Sequence, residues 1–600
     1  MAFETILLFF IYTWGIGTGL TLFAKEAENF LERHIMRVGL GLSGLLVLLL
    51  LLNSLRLIVD WKIALLVSLL GPAYVLVRKK SFSVPKIKPN VINLCILGAT
   101  IIFLVSMYMY TTGAFTYPYL EDDDSYSHAA GVSYIKYQKT LFDPQHMGFQ
   151  YIDPYPPSYD GLMGILHQTN NSVSWTLKFF NALVISISLL FFFFSARMLL
   201  NSSFTALLAT AFLAAMPAYL SHFIWAISLM FPVLFASLYA FERIGSDRRW
   251  AYVAATVTAP GLVMTPSHSV YFALMLGLYA LVKIAFVKHR MHILLAGCGA
   301  GLLSLLLWWV WPLTRLGFSQ TLVGLGLGRQ DIFAAGGTGD RPYVLADFIF
   351  VKSQGLINSP LGFGLAVSIL LVVGLIVVLA GRKFFGEKYN TNLVALLWFA
   401  LMMYAVNGVR FPVRLSSFRV WPLVAIPAAI LAAIGAAYIY RSIKVVTKNQ
   451  IAAAGLLVLI LAGVYFTSFS QKYTLNTSYW PPGAFWTSQA EIDSYVWLKS
   501  LPPNTPVYTF SNEPAVIAMD KFNCMWCPDE LAFKQGWLNQ SAAQIHDFLS
   551  LKGYRYLIVG GQEVQRYGAE PVNDKLMEIG SAGNFRLAHQ SQGAVVLEVV

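Results

Sequence analysis

Four consecutive carboxylates, Glu121, Asp122, Asp123 and Asp124, lie in the stretch YLEDDDSYSHAAGVSYI that runs from Tyr119 to Ile135. They follow an apolar run over 92–109 long enough to cross a bilayer, and the desolvation cost of so many charges keeps them out of lipid. The cluster therefore belongs at a water boundary. Like charges packed so closely raise one another's pKa unless a cation or a proton-accepting task relieves them, which makes the run a candidate general base or metal site. A solvated acidic loop is the plainer alternative. Arginines form the second group: Arg315, Arg329, Arg341, Arg410, Arg414 and Arg419 fall in connections on the acidic side, and GVRFPVRLSSFR gathers the last three at one helix entrance. A guanidinium offers phosphate a planar fork of donors, and a lipid-linked phosphate is the natural anion at that depth; snorkelling to the interface suits each Arg alone equally well. His222 in YLSHF and His268 in TPSHS lie at helix ends on the same side, where a His serves either as a terminus residue or as a contact to substrate or metal.

The elements that must position these groups are apolar. The chain has 600 residues, of which 57% are hydrophobic and 12% charged, with a mean hydropathy of +0.61; a soluble protein carries about twice that charged share. The composition describes a polytopic membrane protein. Its net charge of +12 reads as Lys and Arg anchoring loops on one side of the membrane rather than as nucleic-acid binding. Apolar stretches at 5–24, 38–58, 64–77, 92–109, 176–199, 204–219, 224–241, 252–263, 270–287, 292–311, 361–380, 393–406, 420–440 and 451–466 predict about fourteen transmembrane α-helices. No basic region precedes the first, so it reads as a membrane helix rather than a cleaved signal. Alternate connections carry the basic residues, from Lys25, Arg33 and Arg37 through Arg78, Arg197, Arg243 and Arg290 to Arg382 and Arg441. The positive-inside rule makes those loops cytoplasmic. The acidic run, both termini, the long connections 113–175 and 314–358, and the sequons at Asn170, Asn476 and Asn539 are then outside.

The chain divides by composition into N-terminal helices over 1–91, a membrane body over 92–467 and a polar tail over 468–600. After the carboxylates a helix is expected over 127–137, then Pro- and Tyr-rich turns in DPQH and YIDPYPPSYD. The tail reads as a small extracytoplasmic α/β domain, with helices over 490–500, 542–552 and 574–579 and strands over 506–510, 554–559, 585–588 and 594–599. Cys524 and Cys527 form a lone C-x-x-C, a local disulfide or two free thiols sooner than a four-ligand zinc site. The glycine pair 560–561 is no nucleotide fingerprint.

A D-x-D motif where an early membrane helix enters its first large outer loop, here Asp122 to Asp124 followed by Tyr126 and His128 in DSYSH, resembles the membrane glycosyltransferases of the GT-C superfamily. Pro156 and Pro157 in the first loop, and His268 at a helix start, are similar features. The resemblance implies a GT-C-like membrane body that takes a sugar from a polyprenyl- or dolichyl-phosphate donor and passes it, with inversion, to a hydroxyl of a glycan or protein acceptor at the outer face of the plasma membrane. It implies Asp124 as the acceptor-activating base, with Asp122 in reserve. Substrate contacts are expected from Glu121, Tyr126, His128, His222, His268, Arg410, Arg414 and Arg419. Asp122 and Asp124 become the ligands if a divalent metal, Mg or Mn, takes part, and no organic cofactor is expected. The tail lacks the W-W-D-Y-G motif of oligosaccharyltransferases, and WWVW at 308–311 lies inside a membrane stretch, so a monosaccharide transferase is the better match than transfer of a whole glycan to Asn. A secondary transporter would place ionisable residues near the midplane of two related halves; here they gather at one face. A non-catalytic scaffold is the third class.

Overall fold

The structure, a computed structural model, describes residues 2–79, 90–143, 151–324, 341–354, 359–381, 390–411, 417–483 and 485–600. Each of the fourteen apolar stretches falls on a helix: α1 (Ala2–Leu20), α2 (Phe30–Ser54), α3 (Trp61–Lys79) and α4 (Val91–Ala114) before the acidic helix α5 (Asp122–Gln138). After the short α6 (Ser158–His167) come α7 (Val173–Leu200), α8 (Ser203–Ala215), α9 (Ile227–Arg243), α10 (Trp250–Thr258), α11 (Pro266–Phe286) and α12 (Arg290–Ser304). The chain continues through α13 (Val310–Gly324), α14 (Leu345–Ile349), α15 (Leu365–Ala380), α16 (Asn390–Val406), α17 (Trp421–Thr447) and α18 (Gln450–Val464). Among the described residues nine helices are long and apolar enough to cross a membrane, fewer than the fourteen expected. Of the shorter helices, α9 has nearly every residue buried, whereas α15 exposes Leu365, Ile369, Val372, Ile376 and Leu379.

Packing runs from a buried centre to an apolar rim. Phe191, Phe193 and Phe194 on α7, Phe231 and Phe235 on α9, and Leu423, Ile426 and Leu431 on α17 are wholly enclosed, while Leu66 and Leu70 on α3, Leu97 and Ile101 on α4, and Val458 and Leu459 on α18 are exposed. Such apolar surface is stable only against lipid. Small residues let backbones meet: a Cβ on Gly41 would sit 1.6 Å from the Thr13 carbonyl oxygen, and one on Gly374 would sit 1.9 Å from that of Leu431.

The two ends of the bundle differ in charge. At the C-terminal end of α2, Asn53 accepts the Leu141 N–H at 2.8 Å and the Val59 N–H donates to the Lys139 carbonyl at 2.8 Å, which ties that end to α5. At the other end Asn29 donates to Asn93 at 2.7 Å, Arg243 donates to the Lys25 carbonyl at 2.6 Å, and Arg197 pairs with Glu32 at 2.5 Å. The 25 residues of α2 separate the two by roughly 37 Å. Lys25, Arg197 and Arg243, from three of the basic connections expected on one side, therefore meet at one end of α2, away from the acidic helix.

The tail begins inside a helix. From α18 the chain passes through a π turn, Tyr465–Phe469, into α19 (Ser470–Asn476), beyond the expected change at 467/468. The polar residues that marked the boundary turn inward: Ser468, Lys472 and Asn476 are buried, and the Lys472 ammonium donates to the Ala214 carbonyl at 3.0 Å. Beyond them β1 (Val507–Tyr508), β2 (Tyr556–Gly560), β3 (Phe585–Gln590) and β4 (Ala594–Val599) form one sheet in the order β1-β2-β4-β3, parallel between β1 and β2 and antiparallel elsewhere. Phe510, Trp537, Ile545, Leu549, Leu557 and Val572 make a separate hydrophobic cluster there, and Cys524 and Cys527 are joined in a disulfide. Asp520 fastens this part to the start of α7, accepting from the Ser172 hydroxyl at 2.8 Å and from the Ser174 N–H and hydroxyl, each at 3.0 Å. Of the three sequons only Asn539 is exposed; Asn170 and Asn476 are buried and hydrogen-bonded, which leaves no room for a glycan on the folded chain.

The charge asymmetry of the ends makes a topological prediction. In a Cys298→Ser background, Thr116→Cys and Gly381→Cys should react with a membrane-impermeant maleimide from opposite sides of sealed vesicles; labelling of both from one side would contradict the bundle's orientation.

Candidate functional site

The carboxylates begin α5 rather than preceding it, one turn earlier than the expected helix, and the fold sends them in different directions. Glu121 is the residue before the helix and turns inward. It is 1% exposed, accepts the Ile224 N–H at 3.2 Å, and has its carboxyl pushed up by burial while the neighbouring Lys178 ammonium pulls it down. Asp122 takes a left-handed backbone, φ 55°, which Asp tolerates better than most residues. The chain at Gly483, φ 89°, presses against it: a Cβ there would lie 2.8 Å from the Asp122 Cα and from the Asp123 carboxylate. Asp123 accepts the Phe485 N–H at 3.1 Å. A strap around 479–486 leading into the tail thus holds the first turn of α5.

Asp122 and Asp124 remain half-buried. Burial first, and then the adjacent Asp124 and Asp123 charges, push the Asp122 carboxyl up to about 6. The Tyr151 hydroxyl donates to Asp124, and burial together with the Asp124 charge pushes that phenol up, so it stays protonated as a donor. Tyr151 is positioned from beneath. The His128 ring stacks on it with centroids 4.4 Å apart, and His128 Nδ1 is 2.6 Å from the buried Asp160 carboxylate. Tyr155 meets Tyr151 edge-on at 4.7 Å. The Arg419 charge acts on both Tyr151 and Tyr155, and so does that of Asp124. Arg419 is exposed, donates to the Ser267 hydroxyl at 3.2 Å, and makes no ion pair among the described residues. The result is a tyrosine pair flanked by one carboxylate and one uncommitted guanidinium.

No family model matches the chain, and no curated protein matches it. Among solved structures it is similar to the oligosaccharyltransferase of Archaeoglobus fulgidus in the apo form, at 11% identity and TM-score 0.46 over 78% of this chain and 70% of that one. It is also similar to the same enzyme tethered by a disulfide to an acceptor peptide containing the NVT sequon, at 11% identity and TM-score 0.45 over 83% and 74%. The third is ArnT from Cupriavidus metallidurans in the apo state, at 14% identity and TM-score 0.43 over 84% and 97%.

Several expected contacts lie elsewhere. Glu121 is enclosed, as described. Tyr126 is buried and its hydroxyl accepts from the Trp486 indole at 3.2 Å, which makes it an anchor for the strap. His222 is enclosed by the Tyr117 hydroxyl at 2.9 Å, Asn476 at 3.3 Å and the Trp480 ring, and burial holds its imidazole down to about 3, in the neutral form. His128 acts through Tyr151 rather than facing the site. His268 is buried one residue beyond Ser267, with Nδ1 on the Thr265 hydroxyl. Arg410 is committed to the Tyr343 carbonyl at 2.6 Å, Arg315 pairs with Asp153, and Arg341 forms a two-pronged pair with Asp347 at 2.9 and 3.0 Å. Arg329, Arg414 and the turn at DPQH beyond Asp143 lie outside the described residues. Tyr151, Tyr155 and Asp160 were not singled out from the sequence as site residues; their signal was the phrase YIDPYPPSYD.

Among the described residues no group of three or more His, Cys, Asp or Glu side chains gathers as a metal site. Asp122 and Asp124 offer two carboxylates, which suits a hard cation that completes its shell with waters and substrate phosphate oxygens.

The raised Asp122 pKa predicts a pH effect. The unfolded carboxyl titrates near its ordinary 3.8 and the folded one near 6, so the folded state binds the proton more tightly, and acidification from pH 7.5 toward 5 stabilises it through this group. Asp122→Asn should abolish that component, and the melting-temperature difference between wild type and variant should change across this interval. A difference independent of pH would contradict the shift.

Proposed function

We propose that the chain is an integral-membrane glycosyltransferase that takes a sugar from a polyprenyl- or dolichyl-phosphate carrier and passes it to an acceptor hydroxyl at the membrane face where α5 lies. The observation that carries the reading is the placement of Asp124 and Arg419 around the same two tyrosines. A half-buried carboxylate and an uncommitted guanidinium across one aromatic wall suit a reaction in which a proton leaves at one end and an anion departs at the other. The acceptor oxygen attacks the anomeric carbon while its proton passes to Asp124, and the bond from the anomeric carbon to the carrier phosphate breaks with inversion. The departing phosphate keeps the bonding electrons, and Arg419 stabilises its charge through paired N–H donors. Tyr151 holds Asp124 in place, and the His128–Asp160 pair holds Tyr151. A divalent cation between Asp122 and Asp124 would supply further charge neutralisation at the phosphate. By the positive-inside rule the basic end of the bundle is cytoplasmic and the site extracytoplasmic, as on a plasma-membrane enzyme.

General-base assistance contributes typically 10²–10⁴-fold. Asp124→Asn, nearly isosteric but unable to take the proton, should lower turnover with a polyprenyl-phosphate sugar by about that factor, with expression and donor binding retained. Full turnover in Asp124→Asn with loss in Asp122→Asn would move the base to Asp122; full turnover in both would remove the carboxylates from the chemistry. Separately, Arg419→Ala should weaken donor binding by about ten- to a hundredfold, the loss of a charge-assisted bond to phosphate, and Arg419→Lys should recover part of it because the ammonium lacks the fork. Unchanged donor affinity in both variants would return Arg419 to interface snorkelling.

A further inference from the structure

A second cationic site lies at the other end of the bundle, where α1, α2 and α3 leave the apolar layer. A cavity of about 410 Å³ there is lined by Thr18, Thr21, Arg33, Arg37, Tyr74 and Arg78. Its floor is rigid because backbones touch beneath it: a Cβ on Gly17 would lie 1.8 Å from the Arg37 carbonyl oxygen, and one on Gly71 would lie 2.6 Å from the Gly19 nitrogen.

The charges facing this cavity do not balance among the described residues. Arg37 is satisfied, clamping Glu26 with two bonds of 2.7 Å, and Thr21 adds a third to the same carboxylate at 2.6 Å. Among the described residues Arg33 reaches only the Glu28 carbonyl oxygen, at 3.4 Å, and its Nε is buried without a hydrogen-bond partner there. Arg78 lies over the Tyr74 ring at 5.6 Å. Neither Arg33 nor Arg78 has an ion-pair partner among the described residues. Glu28 is also on the wall, so among the described residues, after the Arg37–Glu26 pair cancels, two guanidiniums face one carboxylate and one positive charge is left over.

We propose that this cavity binds the phosphodiester headgroup of an anionic phospholipid. One phosphodiester carries the single negative charge that neutralises the wall, and its oxygens match guanidinium donors. The lipid source, rather than a free phosphate, follows from the rim: Phe23, Tyr74, Leu76 and Val77 are exposed beside the arginines, and acyl chains cover such surface where an inorganic ion leaves it bare. A zwitterionic headgroup brings its own cation and gains less from Arg33 and Arg78. The site is separate from Asp124 and Arg419, at the opposite end of α2, and does not depend on the reaction assigned to them. Basic pockets between membrane helices on the positively charged side are where anionic headgroups are held.

Native mass spectrometry of the delipidated full chain, offered phosphatidylglycerol, phosphatidylcholine with the same acyl chains, or inorganic phosphate, tests the assignment. The wild type should retain phosphatidylglycerol about tenfold or more over phosphatidylcholine, and should not retain inorganic phosphate. The preference should disappear in a folded R33Q/R78Q variant and persist in part in R33K/R78K, which keeps the charge. Equal retention of the two lipids by the wild type overturns the proposal without recourse to any variant. So does an undiminished preference in R33Q/R78Q, and displacement of phosphatidylglycerol by equimolar inorganic phosphate overturns the lipid source.

Discussion

Carboxylates in consecutive positions at the end of a membrane-length helix repel one another, and every nearby element serves to separate them. Glu121 is drawn into the core by the Ile224 N–H and the Lys178 charge. Asp123 is taken by the strap through the Phe485 N–H. Asp122, left-handed and crowded by Gly483, carries the residual repulsion as a raised pKa, and Asp124 is shared with Tyr151. The tail is part of this division: its Asn512 and Gln562 hold the Phe485 carbonyl of the strap, and Asp520 and Trp486 bind it to α7 and α5. A solvated loop would spread such charges into water; here two of the carboxylates are consumed by the scaffold and Asp124 is left against the aromatic wall.

How much of this was legible follows from which signals are local. Apolar stretches long enough for a helix are a property of contiguous residues, and all fourteen fall on helices; how each packs depends on neighbours, and α9 is buried along nearly its whole length. The four strands of the tail were marked by short apolar runs, whereas the six-residue helix Glu513–Ala518, which packs on α5, is too brief to leave a periodic trace. Polar composition misplaced the start of the tail because a π turn rotates Lys472 and Asn476 inward. The triplets at Asn170 and Asn476 carry no information about burial, and both asparagines are enclosed.

The candidate site draws its charged members from residues that stand out in the sequence and its aromatic ones from residues that do not. Asp122, Asp124 and Arg419 stand out against an apolar background. Tyr151 and Tyr155 belong to a chain with 30 tyrosines, and only the stacking of His128 and the hydrogen bond to Asp124 distinguish Tyr151 from the rest. His222 and Tyr126 were attractive by type and spacing, but their polar atoms are spent on Tyr117, Asn476 and Trp486. A residue's neighbours in sequence suggested chemistry; its partners in space decided whether that chemistry was available.

The central claim is that donor phosphate and acceptor-activating carboxylate meet across the Tyr151–Tyr155 wall. An experimental density map of the protein with a non-hydrolysable polyprenyl-phosphate sugar tests it most directly. The account predicts phosphate density within hydrogen-bond distance of the Arg419 guanidinium and the sugar lying between it and Asp124. Phosphate density on another group of residues, with Asp124 and Arg419 left facing water, would contradict it.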